Sequence, residues 1–251
     1  MPDFRAYAPD APADAAEIKL SPEESHHLVT VNRCGRGDPV TAFDGRGREW
    51  ITECTDPSKS TAGLRVKESR AAQPRPHEIT LAQALPKGAT MDDIVRQATE
   101  VGAARIVPLL SERTQVHLDG DRADKKIEKW RTAAIEAAKQ CGNPWLPEIT
   151  PVQSLTTFIP SAKDYDLKLI ASLHAGTTTL KKALPGYTAK HGHAPRKVLW
   201  LVGPEGDFSS AEMTAAISAG FQPITLGSLV LRSDTAAVYA LSILSYELQS
   251  L

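Results

Sequence analysis

LVGPEGDFSSAEM, residues 201–213, is the stretch on which the fold turns. It begins at the end of an apolar run, residues 197–202, which is too short for a helix and suits a strand buried on both faces. Gly203 and Pro204 break that run, and Ser209 with Glu212 three residues later forms a capping box that starts a helix. Gly220 closes the helix, and residues 221–226 return as a strand. Strand, glycine loop, capped helix and strand make the repeating unit of a parallel α/β sheet.

The same alternation extends in both directions. Residues 78–85 (EITLAQAL) read as a strand. A helix is expected from Thr90, with Thr90 as its cap, Asp93 three residues on, and Ile94, Val95, Ala98 and Val101 at helical spacing before Gly102. A buried strand follows at residues 106–110. A long helix over 121–140 then presents Ile127, Trp130, Ala134 and Ala138 on one face and stops at Gly142-Asn143-Pro144. Residues 167–173 form a further strand, and a last helix covers 234–248, where Asp234 and Thr235 can cap it. Residues 67–78 (KESRAAQPRPHE) lack apolar periodicity and carry Pro74 and Pro76, so they read as a linker. Before them, short β-like runs flank Asp44-Gly45-Arg46-Gly47, a hairpin signal typical of a small β-barrel. Two domains are expected, a β-barrel over 1–72 and an α/β domain over 73–251.

Composition removes several classes. The 251 residues are 41% hydrophobic and 24% charged with a net charge of −1, which excludes a disordered or collagen-like chain and gives no vote for nucleic acid. No apolar run approaches the roughly 20 residues of a membrane span, and the N-terminus lacks a signal-peptide pattern. Cys34, Cys54 and Cys141 form no C-x-x-C pair, so no disulfide framework or structural metal is expected and a reducing cytoplasm fits. His26-His27 and His191-Gly192-His193 read as packing or solvated residues before metal ligands.

Ligands of open α/β sheets sit beyond the carboxyl ends of the strands. Three loops lie there: one around Leu173-His174, one at 203–208, and one at 226–236 (LGSLVLRSDTA). They are rich in glycine and poor in side-chain donors, so they would offer backbone groups. The middle loop lacks both the P-loop and the dinucleotide fingerprints, and Glu205 and Asp207 would repel a phosphate. A ligand with ribose hydroxyls, an adenine edge and a positive centre suits it better, which describes S-adenosylmethionine. Taken alone, G-P-E-G also reads as a structural turn.

LVGPEGDFSSAEM (201–213) and LGSLVLRSDTAA (226–237) resemble the two signature motifs of the 16S rRNA (uracil-N3)-methyltransferases of the SPOUT class. Residues 21–47, 83–114 and 130–149 are similar to the same family in the same order. Asp207 stands where the family usually has glycine, Asp234 where it has glutamate, and Lys139-Gln140 where it has Glu-Gln. The resemblance implies a SPOUT-type parallel sheet with a C-terminal deep trefoil knot behind a small PUA-like β-barrel. It also implies S-adenosylmethionine as cofactor, 16S rRNA or the assembled small subunit as partner, and a homodimer.

It further places the cofactor on Leu173, His174, Gly203, Pro204, Glu205, Gly206, Leu226, Gly227, Ser228 and Leu231. Arg232 and Asp234 are the candidate catalytic pair, because a guanidinium stays charged and can hold an anionic base. Capping the last helix is the safer role for Asp234 with Thr235, and Arg232 is the better catalytic candidate. Arg5, Arg33, Arg46 and Arg113 are the candidate RNA contacts. Two rivals stay open: 2′-O-ribose methylation by the same architecture, and a non-catalytic RNA-binding assembly factor.

Overall fold

The computed structural model describes residues 4–116, 118, 120–173 and 176–249. The chain divides into two compact units, Met1–Pro74 with Ile135–Leu146 and Arg75–Ala134 with Pro147–Leu251. Residues 135–146, expected in the C-terminal domain, therefore cluster with the first unit.

The first unit contains β1 (Phe4–Tyr7), β2 (Glu17–Lys19), α1 (Pro22–His26), a π-helical turn (His27–Val31), β3 (Pro39–Phe43), β4 (Arg48–Asp56) and β5 (Gly63–Ala71). They form one sheet in the order β1-β3-β4-β5-β2, parallel only between β1 and β3. The expected hairpin joins β3 to β4, where the Asp44 carboxylate accepts from the amides of Arg46 (2.7 Å) and Arg48 (3.0 Å). Leu28, Val40, Trp50 and Leu64 are buried in its core. Strand β5 runs through the first residues of the expected linker. Residues 68–71 have mostly exposed polar side chains, yet their backbone is fixed by the ladder to Arg48–Ile51, which no side-chain pattern reveals. Burial pushes the Cys34 thiol up to about 12, with Cys54 beside it, which makes an inert thiol.

Lys139 shows why residues 135–146 belong here. Its ammonium is 6% exposed and bonds Glu24 at 3.0 Å, Glu136 at 2.5 Å and the His27 ring at 3.3 Å. Glu24 also accepts from the Tyr7 amide at 3.0 Å, so a buried carboxylate and a buried ammonium satisfy each other.

The second unit contains β6 (Glu78–Ala84), α2 (Thr90–Glu100), β7 (Arg105–Leu110), α3 (Gly120–Cys141, whose last residues cluster with the first unit), β8 (Glu148–Ile149), β9 (Gln153–Ser154), α4 (Leu155–Ser161), β10 (Leu167–Ala171), α5 (Leu180–His191), β11 (Lys197–Val202), α6 (Ser210–Ser218), β12 (Gln222–Ile224) and α7 (Ser233–Gln249). All its strand pairs are parallel, in the order β12-β10-β11-β6-β7-β8 with β9 also on β7. Residues 198–202 of β11 are at most 1% exposed, as the apolar run requires of a central strand. Ile127, Trp130 and Ala134 are buried as expected. Thr90 is not a cap: Ala89 holds that place, without a side-chain bond, and Asp93 pairs with Arg96. Helices α4 and α5 escape the sequence pattern because each contains a proline, Pro160 and Pro185.

Lys139→Met leaves Glu24 charged and buried without its counterion, so unfolding of the first unit in urea should lose about 3–5 kcal/mol. Adding Glu24→Gln should restore most of that loss. A single variant that melts like the unaltered protein would show that Lys139 does not balance Glu24.

Candidate functional site

The parallel sheet positions the site. In its strand order β6 has β7 on one side and β11 on the other, with β10 and β12 beyond β11. The chain thus leaves β6 in one direction and returns on its opposite side, and the crevice of a topological switch opens at the carboxyl ends. A cleft occupies that place. It is lined by residues 171–173 after β10, by 202–205 and Asp207 after β11, and by Leu226, 229–231, Ser233 and Ala236 after β12. It is an open cleft, with about 590 Å³ of space including the solvent at its mouth.

Backbone and small hydroxyls hold the loops. The Ser172 amide donates to Ile224 O at 3.0 Å, and Thr225 Oγ1 accepts from the Gly227 amide at 3.1 Å. Gly227 has φ +124°, open only to glycine. Beneath the middle loop, Gln83 Nε2 donates to Ser233 Oγ at 2.9 Å, and Ser233 Oγ donates to Gly203 O at 2.8 Å. Gln83 is fully buried, and among the described residues its Oε1 has no partner. The α6 capping box is present as expected, Glu212 accepting from the Ser209 amide at 2.9 Å and Ser209 Oγ from the Glu212 amide at 3.3 Å.

Six of the expected cofactor residues line the cleft: Leu173, Gly203, Pro204, Glu205, Leu226 and Leu231. Gly227 and Ser228 lie in the same loop but off the cleft wall, and His174 lies outside the described residues. Gly206 faces a second cavity, lined by Lys87, Glu112, Arg113, Thr114, Gln115 and Glu205. Arg113 donates to Gly206 O at 2.7 Å, and Glu205 accepts from the Lys87 amide at 3.0 Å. The two cavities thus share Glu205. Ser172, Ser233 and Gln83 were missed. A lone amide in the apolar run EITLAQAL is the one signal that pointed to Gln83.

The charged candidates divide. Arg232 is 82% exposed and meets Asp234 at 3.5 Å, and Asp234 sits in the first turn of α7, which begins one residue earlier than expected. In the first unit Arg33 and Arg46 are exposed. Arg5 is not: it is 13% exposed, bonded to Glu49 at 2.8 Å and stacked 5.0 Å over the Phe43 ring. His27 pairs with Glu136 at 3.2 Å, and His191 stacks on Tyr187 at 4.2 Å. Among the described residues no His/Cys/Asp/Glu cluster suits a metal, and no helix is long and apolar enough to cross a membrane.

Comparison with known proteins adds to this geometry. A family model described as an RNA methyltransferase domain matches residues 73–245, and one described as an RNA methyltransferase PUA domain matches residues 20–67. The chain is 32% identical over 235 residues to the ribosomal RNA small subunit methyltransferase E of Synechocystis sp., covering 94% of this chain and 75% of that protein. Among solved structures it is similar to a Legionella pneumophila protein in complex with bound S-adenosylmethionine, with a TM-score of 0.88, 32% identity and 98% of each chain covered. A ribosomal RNA small subunit methyltransferase E from Neisseria gonorrhoeae, bound to S-adenosylmethionine, matches with a TM-score of 0.85, 26% identity and 98% of each chain.

Asp207 has φ +59°, which explains why glycine suits its position and why aspartate is tolerated: its Oδ1 accepts from the Phe208 amide at 2.7 Å. Asp207→Gly should change stability by less than about 0.5 kcal/mol, whereas Asp207→Ala, with neither relief nor bond, should cost about 1 kcal/mol or more. Thermal unfolding of both variants decides it, and equal losses would show that backbone conformation does not govern this position.

Proposed function

This chain belongs to the ribosomal RNA small subunit methyltransferase E family, and from that premise we propose that it methylates N3 of one uridine in 16S rRNA, using S-adenosylmethionine. The observation that carries the reading is the cleft at the switch point of the sheet, walled by three loops and adjoining a second cavity across Glu205. A donor on one side of that residue and a target base on the other is an arrangement suited to group transfer.

The cleft fits the cofactor. Leu173, Val202, Pro204, Leu226 and Leu231 give an apolar slot for an adenine ring, and loop backbone supplies polar groups for its edge and for a ribose. A Cβ on Gly203 would already stand 3.2 Å from Asp207 Oδ1 and 3.4 Å from the Phe208 ring, so the loop closes tightly only on glycine. Leu173, Gly203, Pro204, Leu226, Gly227, Ser228 and Leu231 would hold the cofactor, with His174 next to them in sequence. When bound, it supplies an electrophilic methyl group.

The residues of this chain must then make N3 a nucleophile. The N3 proton has to leave, and negative charge spreads to O2 and O4 of the base as it does. Arg232 is the group we assign to that charge, with Asp234 holding the guanidinium. Its exposure leaves the charge free to meet an arriving base, and a fixed cation favours the deprotonated uracil over the neutral one. Arg113 and Lys87 line the second cavity, where the target nucleotide is proposed to enter. Arg33 and Arg46 are proposed to grip RNA from the first unit, while the inward-turned Arg5 serves its packing. Unstacking a base from folded RNA calls for such grips at a distance from the chemistry.

Three finer features belong to the same reading. The C-terminal trefoil knot is carried over from the family, whose RNA methyltransferase domain matches residues 73–245. Leu229 (74% exposed), Val230 (80%) and Tyr239 (46%) give the cleft loop and α7 an apolar surface that supports a homodimer. A ribosomal substrate and three free thiols favour the cytoplasm.

Gly203→Val should abolish calorimetric binding of S-adenosylmethionine while the protein still melts cooperatively. Unchanged affinity would place the cofactor elsewhere. Arg232→Ala should lower turnover by on the order of a hundredfold or more with cofactor affinity kept, and Arg232→Lys should restore only part of it. Loss of thermal stability with turnover retained would instead make Arg232 a partner of Asp234 and nothing more.

A further inference from the structure

At the amino ends of β10 and β12, the opposite end of the sheet from the cofactor cleft, lies a separate cavity of about 350 Å³. Its wall is one face of α5. Lys182, Gly186 and Lys190 form an i, i+4, i+8 row, and Ala183, Tyr187 and His191 form the row beside it. The two lysines stand about 12 Å apart along the helix. Gly186 lies between them, and a Cβ there would meet nothing within 4 Å, so the space between the two ammonium groups is bare.

Charge is concentrated in this part of the chain. Residues 163–197 hold seven Lys or Arg and two Asp in a protein whose net charge is −1. Lys182 and Lys190 are exposed and have no ion pair among the described residues. The carboxylate at the rim, Asp166, is already engaged, accepting from the amides of Arg196 (2.7 Å) and Lys197 (2.8 Å). Lys168 is engaged as well, donating to Ala219 O at 2.5 Å and lying 5.8 Å over the Phe221 ring. What remains for a ligand is two free cations and an aromatic step, because Tyr187 stacks on the exposed His191 at 4.2 Å.

Unpaired cations spaced along a groove beside a stacked aromatic pair suit a single-stranded nucleic acid, with phosphates on the cations and a base on the ring. We propose that this cavity is a second RNA-binding site, in which Lys182 and Lys190 contact backbone phosphates and His191, backed by Tyr187, stacks a base. It rests on the reading of the chain as an rRNA methyltransferase and adds a grip on the catalytic unit itself. An acidic peptide would use the lysines but gain little from the aromatic step, so RNA is favoured.

The probe is a fluorescently labelled 20-nucleotide oligouridine, titrated by anisotropy across a series of KCl concentrations. Lys182→Ala with Lys190→Ala should flatten the slope of log K against log salt by about 1.4, since each single-strand phosphate contact contributes about 0.7. Affinity at low salt should drop at least tenfold. His191→Ala should weaken binding with the slope unchanged, and arginine at both lysine positions should restore the slope. Both positions are exposed on a helix, where alanine is well tolerated, so melting temperature and S-adenosylmethionine affinity should not move. A double variant with unaltered slope overturns the site while leaving the methyltransferase reading intact. A polyglutamate peptide that loses binding in that variant, with the RNA slope unmoved, overturns it in favour of a protein partner. Failure of the unaltered protein to bind RNA at all removes the reading and the site together.

Discussion

Everything proposed for the cofactor cleft depends on one buried hydrogen-bond chain, from Gln83 Nε2 to Ser233 Oγ at 2.9 Å and from Ser233 Oγ to Gly203 O at 2.8 Å. It joins the central part of the sheet on β6, the loop that follows β11 and the first turn of α7. Gln83 and Ser233 are 150 residues apart in sequence. In a buried setting each of these groups left unpaired would cost about 1–3 kcal/mol, so the three elements are fixed together rather than merely adjacent. A site that recognises its ligand through backbone needs that rigidity. Loops without fixed side-chain donors must already stand in place before the ligand arrives.

The same economy of donors separates chemistry from grip. Residues close to the cleft are apolar or small, and the charged groups near it are engaged, Glu205 with the Lys87 amide and Arg113 with Gly206 O. Arg232 differs, being 82% exposed and only loosely held by Asp234. Cations available to an anionic polymer lie elsewhere, on Arg33 in the first unit and on one face of α5 in the second, while the exposed Arg46 is held by Pro9 O at 2.6 Å and by Asp44 at 3.6 Å. A net charge of −1 therefore says nothing about partners, because opposite charges are segregated by place.

Much of this was legible in the sequence. The run ending at Val202, the break at Gly203-Pro204 and the Ser209/Glu212 box located β11, its loop and α6, because each is a local effect with a fixed spacing. Local rules failed where tertiary contacts decide. Residues 68–71 of β5 are polar and exposed but laddered to β4, and α4 and α5 form in spite of internal prolines. Lys139 carried no local sign of its pairing with Glu24, which is 115 residues away. At the site, glycine loops were readable, and Ser233 and Gln83 were not, since a serine and a glutamine announce burial only once their partners are known. The same holds for Arg5, whose inward turn comes from Glu49 and Phe43.

The central claim is the identity of the methylated atom. Small ribosomal subunits from a strain lacking this protein, incubated with it and S-adenosylmethionine, should yield one 3-methyluridine per 16S rRNA when the RNA is digested and its nucleosides are separated and weighed by mass spectrometry. Methyl groups recovered on a ribose 2′-oxygen, or none recovered at all, would contradict the account.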